Sequence, residues 1–470
     1  QNIYGIQNVA IGSNALYENE ASYNTGVGYQ AMESTKDGSS NVAFGYKSLK
    51  TSANGEFNVA IGSESLLNSD TSRNTAVGFR SLRESLAEDN TAYGFKSSHK
   101  NKYGIDNVSI GVESLHSNVD SSFNLAIGSQ SLYKNLSSDN TAIGYRSSFS
   151  NTTGTNNINI GKLSSYSNID GNGNITLGNY SLHSNDSSRN IAIGHNSLHD
   201  NIFNDNIAIG YESSYKNVSG TNNISIGQQS SYYNLNSTEN ISIGSKSLYL
   251  NDSSFNIAIG HNAAYYTNAP ENIAIGWKSN FSNIYGTHNV ALGNRALYNN
   301  DNSYNVAVGF QTLFNTREEK NTAVGYRAGF INVSGTDNTA IGYEALRQNQ
   351  YGVQNTAIGS NSLYTNDASF NTALGFESLH KNKDGSSNTA LGWKSSYNNE
   401  YGEFNVAIGP ESLFNSDNSE NTAVGYRSLY TNSLGSSNTA IGFKSEFLNQ
   451  HGTQNVAIGS RSLYTNDNSF

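Results

Sequence analysis

The feature that most constrains this chain is a five-residue motif that returns without interruption: Asn, a β-branched residue, a small residue, a bulky apolar residue and Gly. It begins at Asn8, Asn24, Asn41, Asn58, Asn74, Asn90 and Asn107 and occurs 28 times, the last at Asn455. Of the 27 intervals, 15 are seventeen residues and 12 are sixteen. A repeat this short cannot enclose a core of its own, so each must bury its apolar side against its neighbours, as in a solenoid. Residues 1–470 therefore read as one continuous repeat array, although length alone would suggest about three domains.

Counting from the Asn, the second position is β-branched in every repeat except at Leu125, and the fourth is Ile, Val, Leu or aromatic. Alternation of this kind predicts a strand. The third position between them is Ala in 22 repeats, replaced by Gly26, Ser109, Asn159, Thr176, Ser225 and Ser242. The bulky face is the expected core. The fifth position is always Gly, which suits a corner with positive φ or close backbone approach. Ser, Ala or Thr at the eighth position, followed by Leu in 17 repeats, predicts a second short strand. In 13 of the 15 longer repeats a Gly stands three residues before the next Asn, as at Gly38, Gly154, Gly335 and Gly452. The extra residue thus accompanies one that tolerates left-handed backbone. The fold expected is all-β: a parallel β-solenoid, or β-roll, of about 28 coils with two short strands per coil. The first-position Asn residues would stack into a hydrogen-bonded amide ladder.

Composition narrows the function. Only 14% of residues are charged, the net charge is −10, and no basic run occurs, so the electrostatic footprint of a nucleic-acid binder is missing. No apolar stretch approaches the ~18 residues of a membrane-spanning helix, and no membrane insertion of this segment is expected. The absence of cysteine excludes disulfides and thiolate metal sites. Acidic residues such as Glu64, Asp120 and Glu344 are scattered, which argues against a catalytic cluster. No cofactor is expected. His183, His195 and His199 have spacings that resemble metal ligands, but four-residue spacing joins a helix face rather than two strands, and no metal site is expected. No Gly-Gly pair occurs, so the period is not that of calcium-binding nonapeptides.

Three features could carry an interaction. The tenth position is aromatic in eight consecutive repeats: Tyr215, Tyr232, Tyr249, Tyr265, Phe281, Tyr298, Phe314 and Phe330. With Leu inward, these rings should form an outward stripe suited to self-association or to a ligand such as sugars. A second set follows the corner Gly and includes Tyr29, Tyr46, Phe79, Phe95, Trp277, Trp393, Tyr426 and Phe443. A Thr column occupies the second position at Thr322, Thr339, Thr356, Thr372, Thr389, Thr422 and Thr439, as an ice-binding lattice would require. Its alternation with the apolar fourth position places it toward the core instead. Glycosylation sequons also occur, at Asn135, Asn217 and Asn332.

The run Asn-Val-Ala-Ile-Gly-Ser at residues 8–13, 58–63 and 455–460 resembles the head repeats of YadA-like trimeric autotransporter adhesins, and the resemblance covers the whole chain. It implies a left-handed β-roll, three chains side by side, and attachment to host matrix or cell surfaces. The period here is longer than that family's, and neither its coiled-coil stalk nor its membrane anchor is among these residues. Similar repeats also resemble phage and viral tail-fibre shafts. The array stops at Phe470, where another Asn would be due, and reads as a segment of a longer fibre. The expectation is a non-enzymatic extracellular, cell-surface or virion-surface fibre or adhesin, a homotrimer or higher assembly, whose partner is a host-surface protein or glycan. The alternatives are a tail-fibre receptor-binding shaft and a single-chain ice- or polysaccharide-binding solenoid.

Overall fold

A computed structural model describes residues 5–466, and Phe470 lies outside them. The described residues form an all-β parallel solenoid without a helix. The chain divides into two compact units between Thr238 and Glu239. Each contains 14 three-residue strands, one per coil, from Val9–Ile11 to Ile224–Ile226 in the first and from Ile241–Ile243 to Val456–Ile458 in the second. Successive strands pair in parallel and in register, so Val9 opposes Thr25 and Thr356 opposes Thr372.

The orientation of these strands reverses the sequence expectation. The small third position faces inward: Ala43, Ala142, Ala357 and Ala373 are fully buried, while the β-branched and bulky neighbours are half-buried or exposed. The reason is the thinness of the coil. The ninth-position Leu already fills the interior, as at Leu49, Leu132 and Leu363. At Gly26 a methyl group would stand only 3.2 Å from Leu16 Cγ. Little more than Ala fits opposite Leu.

The exceptions follow the same steric rule. Ser98 precedes Ser109, Ser148 precedes Asn159, and Ser214 precedes Ser225, each pair replacing a Leu and the Ala it would touch. The buried hydroxyls meet: Ser98 Oγ donates to Ser109 Oγ at 2.8 Å, Asn159 Nδ2 to Ser148 Oγ at 2.6 Å, and Ser214 Oγ to Ser225 Oγ at 2.7 Å. Paired burial of polar groups avoids the cost of leaving either unsatisfied.

The eighth and ninth positions form a turn, not the second strand expected. The seventh and ninth residues and the one before each Asn adopt left-handed backbone, with φ between 42° and 64° at the non-glycine residues. Such conformations persist only where the surroundings over-determine them. They bend the chain so that both the eighth and ninth side chains point inward. A two-residue second strand does occur, but at the eleventh and twelfth positions and only in ten coils of the second unit, for example Leu250–Asn251 and Ile331–Asn332.

The fifth-position Gly has φ between 118° and 147° throughout, and at Gly244 a Cβ would lie 2.6 Å from the Gly260 carbonyl oxygen of the next coil. Close stacking therefore demands Gly there. The Gly of the longer coils acts differently from expectation: at Gly38, Gly104 and Gly335 φ is not positive, and a side chain would instead collide with the next coil's carbonyl.

The first-position Asn residues form a ladder, and it has a second member. Within each unit the first-position backbone N–H donates to the Oδ1 of the preceding coil's Asn, as Asn24 to Asn8 at 2.8 Å and Asn388 to Asn371 at 2.9 Å. A parallel column, unnoticed in the sequence, runs through the twelfth position, where Asn stands in 21 coils. Asn118 Nδ2 donates to Asn101 Oδ1 at 3.0 Å, and Asn101 Nδ2 donates to the Gly104 carbonyl at 2.9 Å. Asn90 Nδ2 reaches the same carbonyl, also at 2.9 Å, so one buried oxygen joins both ladders.

Two measurements check this architecture. Ala357→Val should overpack the interior and cost about 1–3 kcal/mol, whereas Thr356→Val outside should change stability by less than about 0.5 kcal/mol. Urea denaturation compares them, and the opposite order would return the bulky face to the core. Asn371→Ala should strand the Asn388 amide and leave the Gly385 carbonyl with Asn382 Nδ2 alone, destabilising that coil by about 2 kcal/mol. Amide exchange at Asn388 should then accelerate more than tenfold, and unchanged exchange would refute the ladder's role.

Candidate functional site

Turning the β-branched residues outward gives each unit a continuous apolar face. Because the strands pair in register, their outer side chains align in columns. Ile61 and Leu177 in the first unit and Ile341 and Leu374 in the second are 41%, 48%, 38% and 42% exposed. The second-position column lies beside them, so Thr322, Thr339, Thr356, Thr372, Thr389, Thr422 and Thr439 face outward rather than toward the core.

The sixth-position aromatics extend this face around the corner. Tyr29 stacks on Tyr46 at 5.6 Å and Phe79 on Phe95 at 5.5 Å in the first unit; in the second, Phe310, Tyr326 and Tyr343 stack in succession and Tyr426 stacks on Phe443. Trp277 and Trp393 are exposed members of the same column. The apolar fourth-position column, flanked by a β-branched column and one rich in aromatics, makes a strip of the kind that marks an interaction surface.

The tenth-position rings are half-buried and stacked face to face. In the first unit the column runs from His99 through His116, Tyr133, Phe149, Tyr166, His183, His199 and Tyr215 to Tyr232, with centroids 5.0–5.4 Å apart. In the second, Tyr249, Tyr265, Phe281, Tyr298, Phe314 and Phe330 stack at 4.9–5.4 Å. A further run extends from Tyr364 to Tyr464. The eight rings singled out in the sequence are thus parts of longer columns. The imidazoles of His99, His116, His183 and His199 extend them. Neighbouring rings cover one another's faces, leaving edges toward solvent.

Cations at the seventh position lie between the two aromatic columns. Lys278 Nζ is 5.1 Å from the Trp277 ring and 5.2 Å from Phe281, and Arg327 Cζ is 5.1 Å from Tyr326 and 5.3 Å from Phe330. Arg146, Lys394, Arg427 and Lys444 repeat the arrangement. The seventh position also makes polar steps of its own, such as Arg80 Nε to Glu64 Oε2 at 2.8 Å and Arg146 Nε to Gln130 Oε1 at 2.7 Å.

The histidines divide between columns. His195 stacks on Tyr211 and meets Tyr180 edge-on, while His183 stacks on His199 at 5.0 Å. Among the described residues, no group of three His, Cys, Asp or Glu side chains is arranged to hold a metal ion. Sequon residues Asn135, Asn217 and Asn332 belong to the buried twelfth-position ladder. Their Nδ2 groups donate to the carbonyls of Ser137, Gly220 and Gly335 at 2.6, 3.1 and 2.7 Å. A glycan could attach there only by breaking the coil.

One core position also escaped the sequence reading: Glu446 occupies a ninth-position Leu slot. It is fully buried, and burial pushes its carboxyl up to about 6 despite hydrogen bonds from Asn466 and Asn455.

No protein-family model, curated protein or solved structure matches the chain. Its chemistry must be read from its own columns.

Burial holds the imidazoles of His99, His116 and His183 below the ordinary value, with His99 adding repulsion at His116 and His199 at His183. A depressed imidazole pKa means that the fold resists protonation that the unfolded chain accepts. The stabilising difference is present above the unfolded value of about 6.5 and is lost as pH falls through it. The first unit should therefore soften between about pH 7.5 and 5. The triple substitution His99→Phe, His116→Phe and His183→Phe should flatten that dependence in thermal melts. An unchanged slope would show that the histidines do not contribute.

Proposed function

We propose that this chain is a non-enzymatic structural fibre or adhesin, displayed outside the cell or on a virion, whose copies pack side by side through their outer strand faces. The observation that carries this reading is the strip of β-branched and aromatic side chains exposed along each unit. Apolar columns of that extent are costly in water and favour burial against a matching surface. A second copy supplies the same columns at the same spacing. A homotrimer, as the YadA-like resemblance implies, would enclose these faces on a common axis.

The aromatic columns at the tenth position are weaker candidates for the contact between chains, because their ring faces are already occupied. Repetition suits such a fibre in another respect: equivalent coils offer many weak contacts that gain strength when engaged together. A bacterial adhesin and a viral fibre shaft would use this geometry alike, with a host-surface protein or glycan as the distant partner.

One observation favours a second reading, a single-chain ice-binding solenoid: the Thr column of the second unit faces outward, next to a regular column of Val, Ile and Leu. Light scattering of the purified chain separates the two. A mass near three times 50.6 kDa is expected, and Val324→Lys, Ile341→Lys and Ile358→Lys together should reduce it to that of one chain. A monomeric parent protein would end the fibre-assembly reading, and thermal hysteresis in that monomer would establish the alternative.

A further inference from the structure

In the first six coils of the second unit the charges at the seventh position are all of one sign, which the net charge of the whole chain conceals. Between Lys246 and Arg327 the seventh position carries Lys246, Asn262, Lys278, Arg295, Gln311 and Arg327, four cations and no acid. Every carboxylate in that span, namely Asp252, Glu271, Asp301, Glu318 and Glu319, stands at the thirteenth position or later, on the other turn of the coil. One edge is basic, while the other is mixed, with Arg317 and Lys320 among its acids and Lys320 paired to Glu319 at 2.7 Å.

The basic edge is built rather than merely decorated. Lys278 is held between Trp277 and Phe281, Arg327 between Tyr326 and Phe330, and Arg295 Cζ lies 4.5 Å from the Trp277 ring. Lys246 Nζ is 5.8 Å from Tyr249. Arg327 Nε donates to the neutral Gln311 Oε1 at 2.9 Å, so that contact neutralises no charge. Packing against rings restricts these long side chains and lowers the entropy lost when they bind.

The flanking aromatics reinforce the same sign. Their faces are occupied by stacking, and the ring edge is the positive end of the aromatic quadrupole. Tyr249, Tyr265 and Tyr298 add phenol hydroxyls to the column. The edge therefore presents cations, hydroxyl donors and positive ring edges in rows parallel to the stacking direction.

We propose that this turn, between Lys246 and Phe330, binds a linear acidic polysaccharide lying along the stacked coils. Coils stacked at the strand spacing of about 4.8 Å place successive cations about 5 or 10 Å apart. A regular polymer with recurring carboxylates can follow such a row over several coils, and successive weak contacts then add. Nucleic acid fits less well. Single strands bind by stacking bases on free ring faces, and those faces are covered here. The inference goes beyond the fibre reading and does not require association through the strand face.

The test is retention of the full chain on immobilised polygalacturonate at low ionic strength, with neutral dextran as the blank. Retention on the acidic polymer alone is expected, and it should weaken steeply with added salt. Lys278→Gln, Arg295→Gln and Arg327→Gln together should weaken binding at least tenfold, while Lys381→Gln with Lys383→Gln leaves it unchanged. Circular dichroism checks the fold of each variant; should the triple variant misfold, Lys278→Gln alone is expected to weaken binding two- to threefold. The proposal is overturned by absence of retention, by full retention of the folded triple variant or of Lys278→Gln, or by equal competition from single-stranded DNA of matched charge.

Discussion

The structure depends on one constraint: each coil must satisfy its neighbour's buried backbone as well as its own. Asn meets this demand because its amide both accepts and donates. Asn90 illustrates the arrangement, with Oδ1 accepting the Asn107 backbone N–H at 3.1 Å while Nδ2 reaches the Gly104 carbonyl at 2.9 Å. Asp would lose the donor and bury a charge, whereas Ser would shorten the reach. The interior can consequently be polar without being poorly satisfied. Strained left-handed residues at three places per coil are tolerated in the same framework.

That economy of space determines what lies outside. A coil of sixteen or seventeen residues accommodates two Asn side chains, a small eighth residue and one Leu. The strand can add only Ala on its inner side. Its Val, Ile and Thr residues are consequently outside, where β-branching still favours extended backbone. An apolar exterior is thus a consequence of a crowded interior. The fold exposes an apolar face before any particular partner has shaped it.

Much of this was legible in the sequence because periodicity constrains backbone more strongly than side-chain direction. The strand at each Asn motif, the Gly corner and the first Asn ladder followed from regular spacing. The sidedness of the strand did not, since alternation alone cannot distinguish which face is buried. Size is a misleading guide in a thin coil: Ile341 is larger than Ala340, yet Ala340 is inside. The twelfth-position ladder is less regular than the first, since Ser or Thr replaces Asn in seven coils, as at Ser52, Thr267 and Ser416. The aromatic columns run further than their Tyr and Phe residues because His99, His116, His183 and His199 supply ring planes at the same position.

Registered stacking also explains how a uniform array can acquire chemically distinct surfaces. A substitution at a buried position must match the coil above and below, as the Ser98–Ser109 and Ser148–Asn159 pairs do. A substitution at the seventh position alters only one step of an outer row. Consecutive substitutions there can create a basic edge without disturbing either Asn ladder. Lys278 and Arg295 show this separation: their side chains pack on Trp277, while buried Ala274 and Ala291 preserve the strand interior behind them. Chemical specificity in such a fold therefore resides in columns along the surface, each free to change while the same interior carries them.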